Sequence, residues 1–245
     1  MLPVSQYEFW YFTSYFGVFF LAPVLIRGME SLPKKQATAL VVSLVVIFSV
    51  LPTVTGRDPF DLKLGYSVLW ILVLFVIGTF LRKYWDTFKI AKPVLLWTFA
   101  GCILVTCLGM FASVLNPSFN GMVLVEYTSP TIVIAAIAVV LLFASMQVPA
   151  LVRKVSDYCV PFTFSIYLLH EHPLVRQYII QDRFVSVLSL PAAFQVLAVV
   201  AITFGIWLIC FVLEWIRQWI FRLLGVEKFL RRLEERFLEW CNDSP

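Results

Sequence analysis

Charge is scarce in this chain. Asp, Glu, Lys and Arg make up 14% of its 245 residues, against about a quarter in soluble domains. Hydrophobic residues make up 61% and the mean hydropathy is +0.89. A disordered chain or a water-soluble globule is excluded by that balance; a polytopic membrane protein is not. No Lys or Arg precedes Arg27, and the first apolar run is too long and aromatic for a signal-peptide core, so no cleavable leader is read. The five cysteines contain no CxxC pair, are odd in number, and four of them lie in apolar runs. They read as buried thiols rather than a disulfide framework. A Gly-rich phosphate loop, a GxSxG elbow and an HExxH helix are all missing, as are internal repeats. The net charge of +4 carries no nucleic-acid signal, because the basic residues are spread among short loops.

What is there is a series of seven apolar runs: Trp10–Ile26, Ala37–Val54, Tyr66–Leu81, Val94–Leu115, Pro130–Val148, Cys159–Val175 and Pro191–Leu213. Only Glu171 brings a charge into any of them. Bare backbone is not tolerated in lipid, so each run predicts an α-helix. Ten-residue alternating segments, the mark of a membrane β-barrel, are lacking. The expected fold is therefore all-α, a bundle of about seven transmembrane helices.

The basic residues give that bundle a direction. With the N-terminus outside, the inward segments hold fifteen of the 19 Lys and Arg residues: Arg27, Lys34, Lys35, Arg82, Lys83, Lys89, Lys92, Arg153, Lys154 and six after Leu213. The outward segments hold Arg57, Lys63, Arg176 and Arg183. The positive-inside rule then predicts an outside N-terminus and an inside C-terminus. After Leu213, Trp215, Trp219, Leu223, Phe229, Leu230, Leu233 and Phe237 recur at helical spacing among Arg217, Arg222, Arg231, Arg232, Glu234 and Glu235. This predicts an amphipathic helix on the inner leaflet, against anionic lipid. A short cytoplasmic coiled coil is the alternative. The expected division is a transmembrane domain over 1–213 and an interfacial tail over 214–245.

The only two histidines, His170 and His172, flank Glu171 at the outer end of the sixth run. A neutral imidazole can take a proton from a hydroxyl, which acyl transfer to an alcohol requires. A boundary residue bonded to a neighbouring helix is the plain alternative. Spacing of two on a helix puts the histidines on different faces, so they do not suggest a metal pair. Glu171 is turned about 100° from His170 and is not an obvious partner. At the same membrane level lie Trp10 and Tyr11, then Arg57, Asp58 and Asp61, Tyr66 and Trp70, and Glu126 with Tyr127. Aromatic rings with carboxylates suit a sugar-like acceptor, and a headgroup-level aromatic belt looks the same. On the inner side, Arg82–Lys92 is the densest basic loop. It suits the phosphates of a coenzyme A donor, or nothing beyond positive-inside topology.

Three stretches, taken in order, resemble the acyltransferase-3 family of integral-membrane enzymes that acylate sugars and glycans. FWYFTSYFGVFFLAPVL is similar to a family helix through Trp10, Tyr11, Tyr15 and Pro23. LGYSVLWILVLFVIGTFLRKY is similar to a second segment through Gly65, Tyr66, Ser67, Trp70, Gly78, Arg82 and Tyr84. FSIYLLHEHPLV resembles the closing signature through Ser165, Tyr167, Leu168, Leu169 and His170, with Pro173 one place late because of the extra His172. The resemblance implies an O-acyltransferase of a bacterial plasma membrane, acting on a cell-surface carbohydrate with acetyl-coenzyme A as donor substrate and no bound cofactor. It implies His170 as the catalytic residue, with Trp10, Tyr11, Tyr15, Trp70, Tyr167 and Glu171 about the acceptor and Arg82 and Lys83 about the donor. It also implies about three further N-terminal helices, one bearing an Arg followed by the family's base His, so that His170 would be half of a site that a partner chain or a longer protein completes. Membrane lipid and carbohydrate are the expected partners, and nucleic acid is not. A transporter or flippase for lipid-linked sugar is the rival reading, weakened by the lack of ionisable residues in mid-span and of a duplicated half. A non-catalytic truncated relative is another, and a seven-helix receptor has only the helix count in its favour.

Overall fold

The structure is a computed structural model that describes residues 9–226, 228–232 and 235. Those residues contain no strand, and each apolar run lies within or overlaps a helix: α1 (Trp10–Ser31), α2 (Lys34–Thr55), α3 (Val68–Lys83), α4 (Lys92–Leu115), α5 (Pro130–Ala144), α6 (Ala150–His170) and α7 (Ala192–Leu223). Four of these, α1, α2, α4 and α7, are long and apolar enough to cross a membrane. Helices α3 and α5, with 16 and 15 residues, fall short of the roughly 17–25 that a span needs.

Two helix boundaries differ from expectation. Helix α6 begins at Ala150, nine residues before its apolar run, and takes in Arg153, Lys154 and Asp157. Exposed charges do not interrupt a helix whose backbone bonds are all internal. Likewise α7 continues past Leu213 without a break to Leu223, and Gly225, at φ +69°, ends it. The expected tail helix therefore begins as the last turns of α7. Leu233, Glu234 and residues 236–245 of that tail lie outside the described residues.

The described chain forms two compact units, residues 1–147 and 148–245. In the first, α1 packs on α3, α2 on α3, and α4 on α5. Its core is Leu62, Trp70, Val73, Ile77 and Val133, with Val41, Leu44 and Phe48 against them. A second cluster, Met29, Ala37 and Phe80, closes the end where α1, α2 and α3 meet. Helix α2 carries a π turn at Val46–Val50 just before Pro52. Proline has no N–H to give the preceding turn, so the ladder widens there, and the Thr53 hydroxyl donates to the Ser49 carbonyl at 2.9 Å. In the second unit, Phe162 and Ile166 of α6 pack against Cys210 and Phe211 of α7. The four described cysteines are all free; Cys210 is buried, whereas Cys107 is exposed on α4, so the thiols are not uniformly buried as their apolar settings suggested.

Candidate functional site

At one end of the first unit, where α1, α3 and α5 begin, aromatic rings meet edge to face. Trp10 lies 4.5 Å from Tyr66, and Tyr66 lies 5.3 Å from Tyr127, centroid to centroid. Tyr11 adjoins Trp10 at 5.7 Å and stacks on Tyr15 at 6.4 Å. Thus Trp10, Tyr11 and Tyr15 come together, and Tyr66 and Tyr127 join them. Trp70 does not line this surface: it is 1% exposed and belongs to the core. Gly65 fixes the junction. Its φ is +104°, and a Cβ there would lie 2.5 Å from that of Tyr127 and 3.3 Å from the Trp70 ring. Only glycine allows that approach.

In the loops before α3 and α5, Arg57, Asp58, Asn120, Glu126 and Thr128 line a cavity of about 100 Å³. Both Asp58 oxygens accept backbone N–H groups, from Leu62 and Lys63, at 2.8 Å each. They hold a loop in which Asp61, Lys63 and Leu64 all have positive φ. The opposite wall is the segment before α5. It is anchored by Thr131, whose hydroxyl donates to the Leu124 carbonyl at 3.1 Å and meets that of Ser129 at 2.8 Å. Gly121 lets this segment press on α4, since a Cβ there would sit 2.4 Å from the Gly109 carbonyl oxygen. Burial pushes the Glu126 carboxyl above the usual carboxylate range; the Thr128 hydroxyl pulls it back in part and the Asp58 charge pushes it further.

At the other end of the same unit, Lys83 is fully engaged. Its ammonium donates to the carbonyls of Met29, Glu30 and Leu32 at 2.9, 2.9 and 2.7 Å, while the Tyr84 hydroxyl donates to Leu32 at 3.2 Å. A lysine has three N–H donors, and all three cap the carboxyl end of α1, where a cation also suits the helix dipole. Arg82 is exposed on a neighbouring cavity of about 590 Å³, lined also by Ile26, Met29, Glu30, Phe75, Gly78, Thr79 and Lys83. Of the two residues expected to hold the donor, Lys83 is committed to these carbonyls, and Arg82 keeps its guanidinium for the open space.

In the second unit, Tyr167, His170 and Glu171 gather at the end of α6. His170 Nδ1 lies 2.8 Å from the Ile166 carbonyl oxygen. A carbonyl can only accept, so Nδ1 carries the proton and the neutral ring keeps its lone pair on Nε2. That Nε2 is 3.7 Å from Glu171 Oε1, and Arg176 approaches the other Glu171 oxygen at 3.5 Å. Glu171 is the helix C-cap rather than a helical residue, and this turn brings it closer to His170 than helical geometry predicted. The Tyr167 ring stands edge-on to His170 at 6.0 Å. His172 has the opposite tautomer. Its Nδ1 accepts from the Leu174 N–H at 3.3 Å, capping the short helical segment Pro173–Val175.

One polar cluster in this unit was not legible as such. Glu214 is 5% exposed and pairs with Arg217 through two bonds of 2.6 and 2.7 Å. Gln218 donates to it at 3.2 Å, and the Ser165 hydroxyl of α6 lies against the same carboxylate. The signal was divided: Ser165 belonged to the signature motif, and Glu214 to the supposed tail.

No curated protein and no solved structure matches the chain. The model of an acyltransferase domain matches residues 2–215, covering α1 through most of α7. The chain therefore belongs to the acyltransferase-3 family of membrane O-acyltransferases.

Proposed function

We propose that the chain moves an acetyl group from acetyl-coenzyme A to a hydroxyl of a cell-surface carbohydrate, with His170 as general base. The observation that carries this reading is the hydrogen bond from His170 Nδ1 to Ile166, which leaves Nε2 as a proton acceptor. In the reaction the acceptor hydroxyl oxygen attacks the thioester carbonyl while its proton passes to Nε2. The carbon–sulfur bond then breaks, and the departing thiolate takes a proton from the imidazolium. Glu171 lies 3.7 Å from Nε2, beside the ring that carries the proton in this step. Arg82 is assigned to the donor phosphates; Lys83, already committed to three carbonyls, holds α1 and α3 in place beside it. The distribution of Lys and Arg supports a seven-span bundle that the donor enters from the inner side and the acceptor from the outer side.

The test uses the full chain in proteoliposomes with acetyl-labelled coenzyme A and a carbohydrate acceptor. Label should appear on the carbohydrate, and His170→Ala should slow its appearance by about 10²–10⁴-fold while His172→Asn keeps it. Transfer that is equal in wild type and His170→Ala would remove His170 from the reaction. Absence of label from every carbohydrate would remove the reading as a whole.

A further inference from the structure

We propose that the segment Asn116–Ser129, between α4 and α5, is re-entrant: it dips into the bilayer beside α4 and turns one face to lipid acyl chains. A surface loop in water is the alternative. The proposal rests on the first unit alone and stands apart from the acyl-transfer reading.

Helix α4 serves as the ruler, being long and apolar enough to cross a membrane. The Leu124 carbonyl accepts from the Thr131 hydroxyl at 3.1 Å, and the Thr106 hydroxyl lies 3.4 Å from the same oxygen. Thr106 and Thr131 are themselves 3.3 Å apart. Thr106 stands about nine residues, or about 14 Å of helix, before the end of α4 at Leu115. Between those levels Gly121 lies on α4, where a Cβ would strike the Gly109 carbonyl. The chain therefore leaves α4 at Leu115, returns along its side to the level of Thr106 and starts α5 there. With 24 residues, α4 is about 36 Å long, some 6 Å more than a hydrocarbon core of about 30 Å. Even with all of that surplus projecting at the Leu115 end, the Thr106 level lies about 8 Å inside. The dip also accounts for the shortness of α5. Its 15 residues make about 23 Å, and the re-entrant segment fills the remaining depth.

The segment is built for that position. Irregular backbone persists at membrane depth only where protein satisfies its polar groups. The Asn116 and Asn120 side chains accept the N–H groups of Ser118 and Met122 at 3.1 Å each. Phe119, Val125 and Ser129 donate to carbonyls three residues back at 2.9 Å each. Gly121–Leu124 is a 3₁₀ helix, with three residues per turn, and side chains divide by that period. Asn120, Val123 and Glu126 line the cavity shared with Pro52, Gly56 and Arg57 at the end of α2. Phe119, Met122 and Val125 are 42, 55 and 41% exposed. Water disfavours such an apolar row, whereas acyl chains accommodate it.

The test is spin-label EPR on the full chain in nanodiscs, its own five cysteines replaced by serine. Single nitroxides are placed through Met122→Cys, Val125→Cys, Asn120→Cys and, at the end of α4, Leu115→Cys. Collision with oxygen, which partitions into lipid, is compared with collision with a neutral nickel chelate, which stays in water. The Met122 and Val125 labels should collide mainly with oxygen and lie about 5–10 Å deeper than the Leu115 label. The Asn120 label should collide mainly with the chelate. Adding Gly121→Ala should move the Met122 label toward the surface while the Leu115 label stays in place, which separates expulsion of the segment from loss of fold. Chelate-dominated collisions at Met122 and Val125 would place the segment in water and overturn the proposal. Labels there that neither reagent reaches would place it against protein and overturn it too. A Met122 label that keeps its depth in Gly121→Ala would overturn the packing on which the dip rests. None of these readouts depends on acyl transfer, so an inactive chain leaves the result intact.

Discussion

The Nδ1 of His170 lies 2.8 Å from the carbonyl oxygen of Ile166, one helical turn earlier, whereas the Nδ1 of His172 faces the N–H of Leu174. Two histidines separated by one residue are thereby held in opposite tautomers. Nitrogen-15 shifts of the two imidazoles should show a protonated Nδ1 in His170 and a protonated Nε2 in His172 when both rings are neutral. His170→Ala should lower transfer by about 10²–10⁴-fold, the usual worth of a general base. His172→Asn keeps an N-cap acceptor and should leave transfer and melting temperature close to wild type. Equal losses for the two variants would show that the ring chemistry of His170 is not special.

Lys83 and Arg82 are adjacent, yet they should fail in different ways. Lys83→Met removes three donors from the end of α1. A charged hydrogen-bond donor is worth about 1.5–3 kcal/mol, so thermal unfolding in detergent should occur at lower temperature while the KM for acetyl-coenzyme A stays near wild type. Arg82→Met touches no such cap. Its unfolding should be unchanged and its donor KM should rise. A stability loss in Arg82→Met with no change in KM would remove the donor assignment.

How much of this was legible follows from the physics of each signal. The apolar runs announced the helices because lipid forbids unpaired backbone, and even the shortest run, Tyr66–Leu81, became α3. Helix ends were less legible: α6 extends back through Arg153 and Lys154, since hydrophobicity marks where lipid lies and not where hydrogen bonding stops. Lys83 looked like a ligand for phosphate because nothing in a linear sequence shows that the ends of α1 and α3 meet. Trp70 looked like part of an aromatic surface, but the Ser67 cap, which accepts from the Trp70 N–H at 3.1 Å, starts α3 in a register that turns the indole into the core. Glu171 looked mispointed because the reading assumed helix geometry one residue beyond the helix end.

Gly65 and Gly78 should respond oppositely to alanine. At Gly65 the backbone is at φ +104° and the new methyl would overlap Tyr127. The loop or the ring must move, at a cost of about 1–3 kcal/mol, and the Trp10–Tyr66–Tyr127 cluster should loosen, visible as altered tryptophan fluorescence. At Gly78 no atom lies within 4 Å of the added methyl, and alanine favours a helix over glycine by about 1 kcal/mol. Gly78→Ala should therefore be neutral or stabilising. Gly78→Phe should instead fill the cavity beside Arg82 and raise the donor KM without unfolding the chain.

Glu126 gives the first unit a pH dependence of defined sign. Its folded-state pKa is raised, so the folded chain holds this proton more tightly than the unfolded one. Its contribution to stability is complete below the ordinary carboxylate pKa of about 4 and is lost as pH rises through the raised folded value. Above that value the ionised carboxylate faces Asp58, with Arg57 as the nearest compensating cation in the cavity. Glu126→Gln removes the titration while keeping the shape. At neutral pH it should unfold at a higher temperature than wild type, and the difference should shrink as pH falls toward 4. A variant less stable than wild type at pH 7 would show that the ionised form is the one the fold prefers.

The Glu214–Arg217 pair of α7 lies beside Ser165 of the signature-bearing helix α6, and a double-mutant cycle separates its worth from the cost of orphaning one partner. Glu214 is 5% exposed, whereas the Arg217 side chain is 48% exposed. Arg217→Met strands a buried carboxylate, which costs about 3–5 kcal/mol for a fully buried pair and less here because Arg217 is half in solvent. Glu214→Gln leaves a solvated arginine stacked on Phe221 at 4.6 Å and should cost less. The double variant should be more stable than Arg217→Met alone, because its buried position no longer carries an unpaired charge. If α6 depends on this tether to present His170, all three variants should lower transfer, and Ser165→Ala should lower it too. Unchanged transfer in Ser165→Ala and Arg217→Met, with only the melting temperature reduced, would make the pair a packing device and leave the placement of His170 to Phe162 and Ile166.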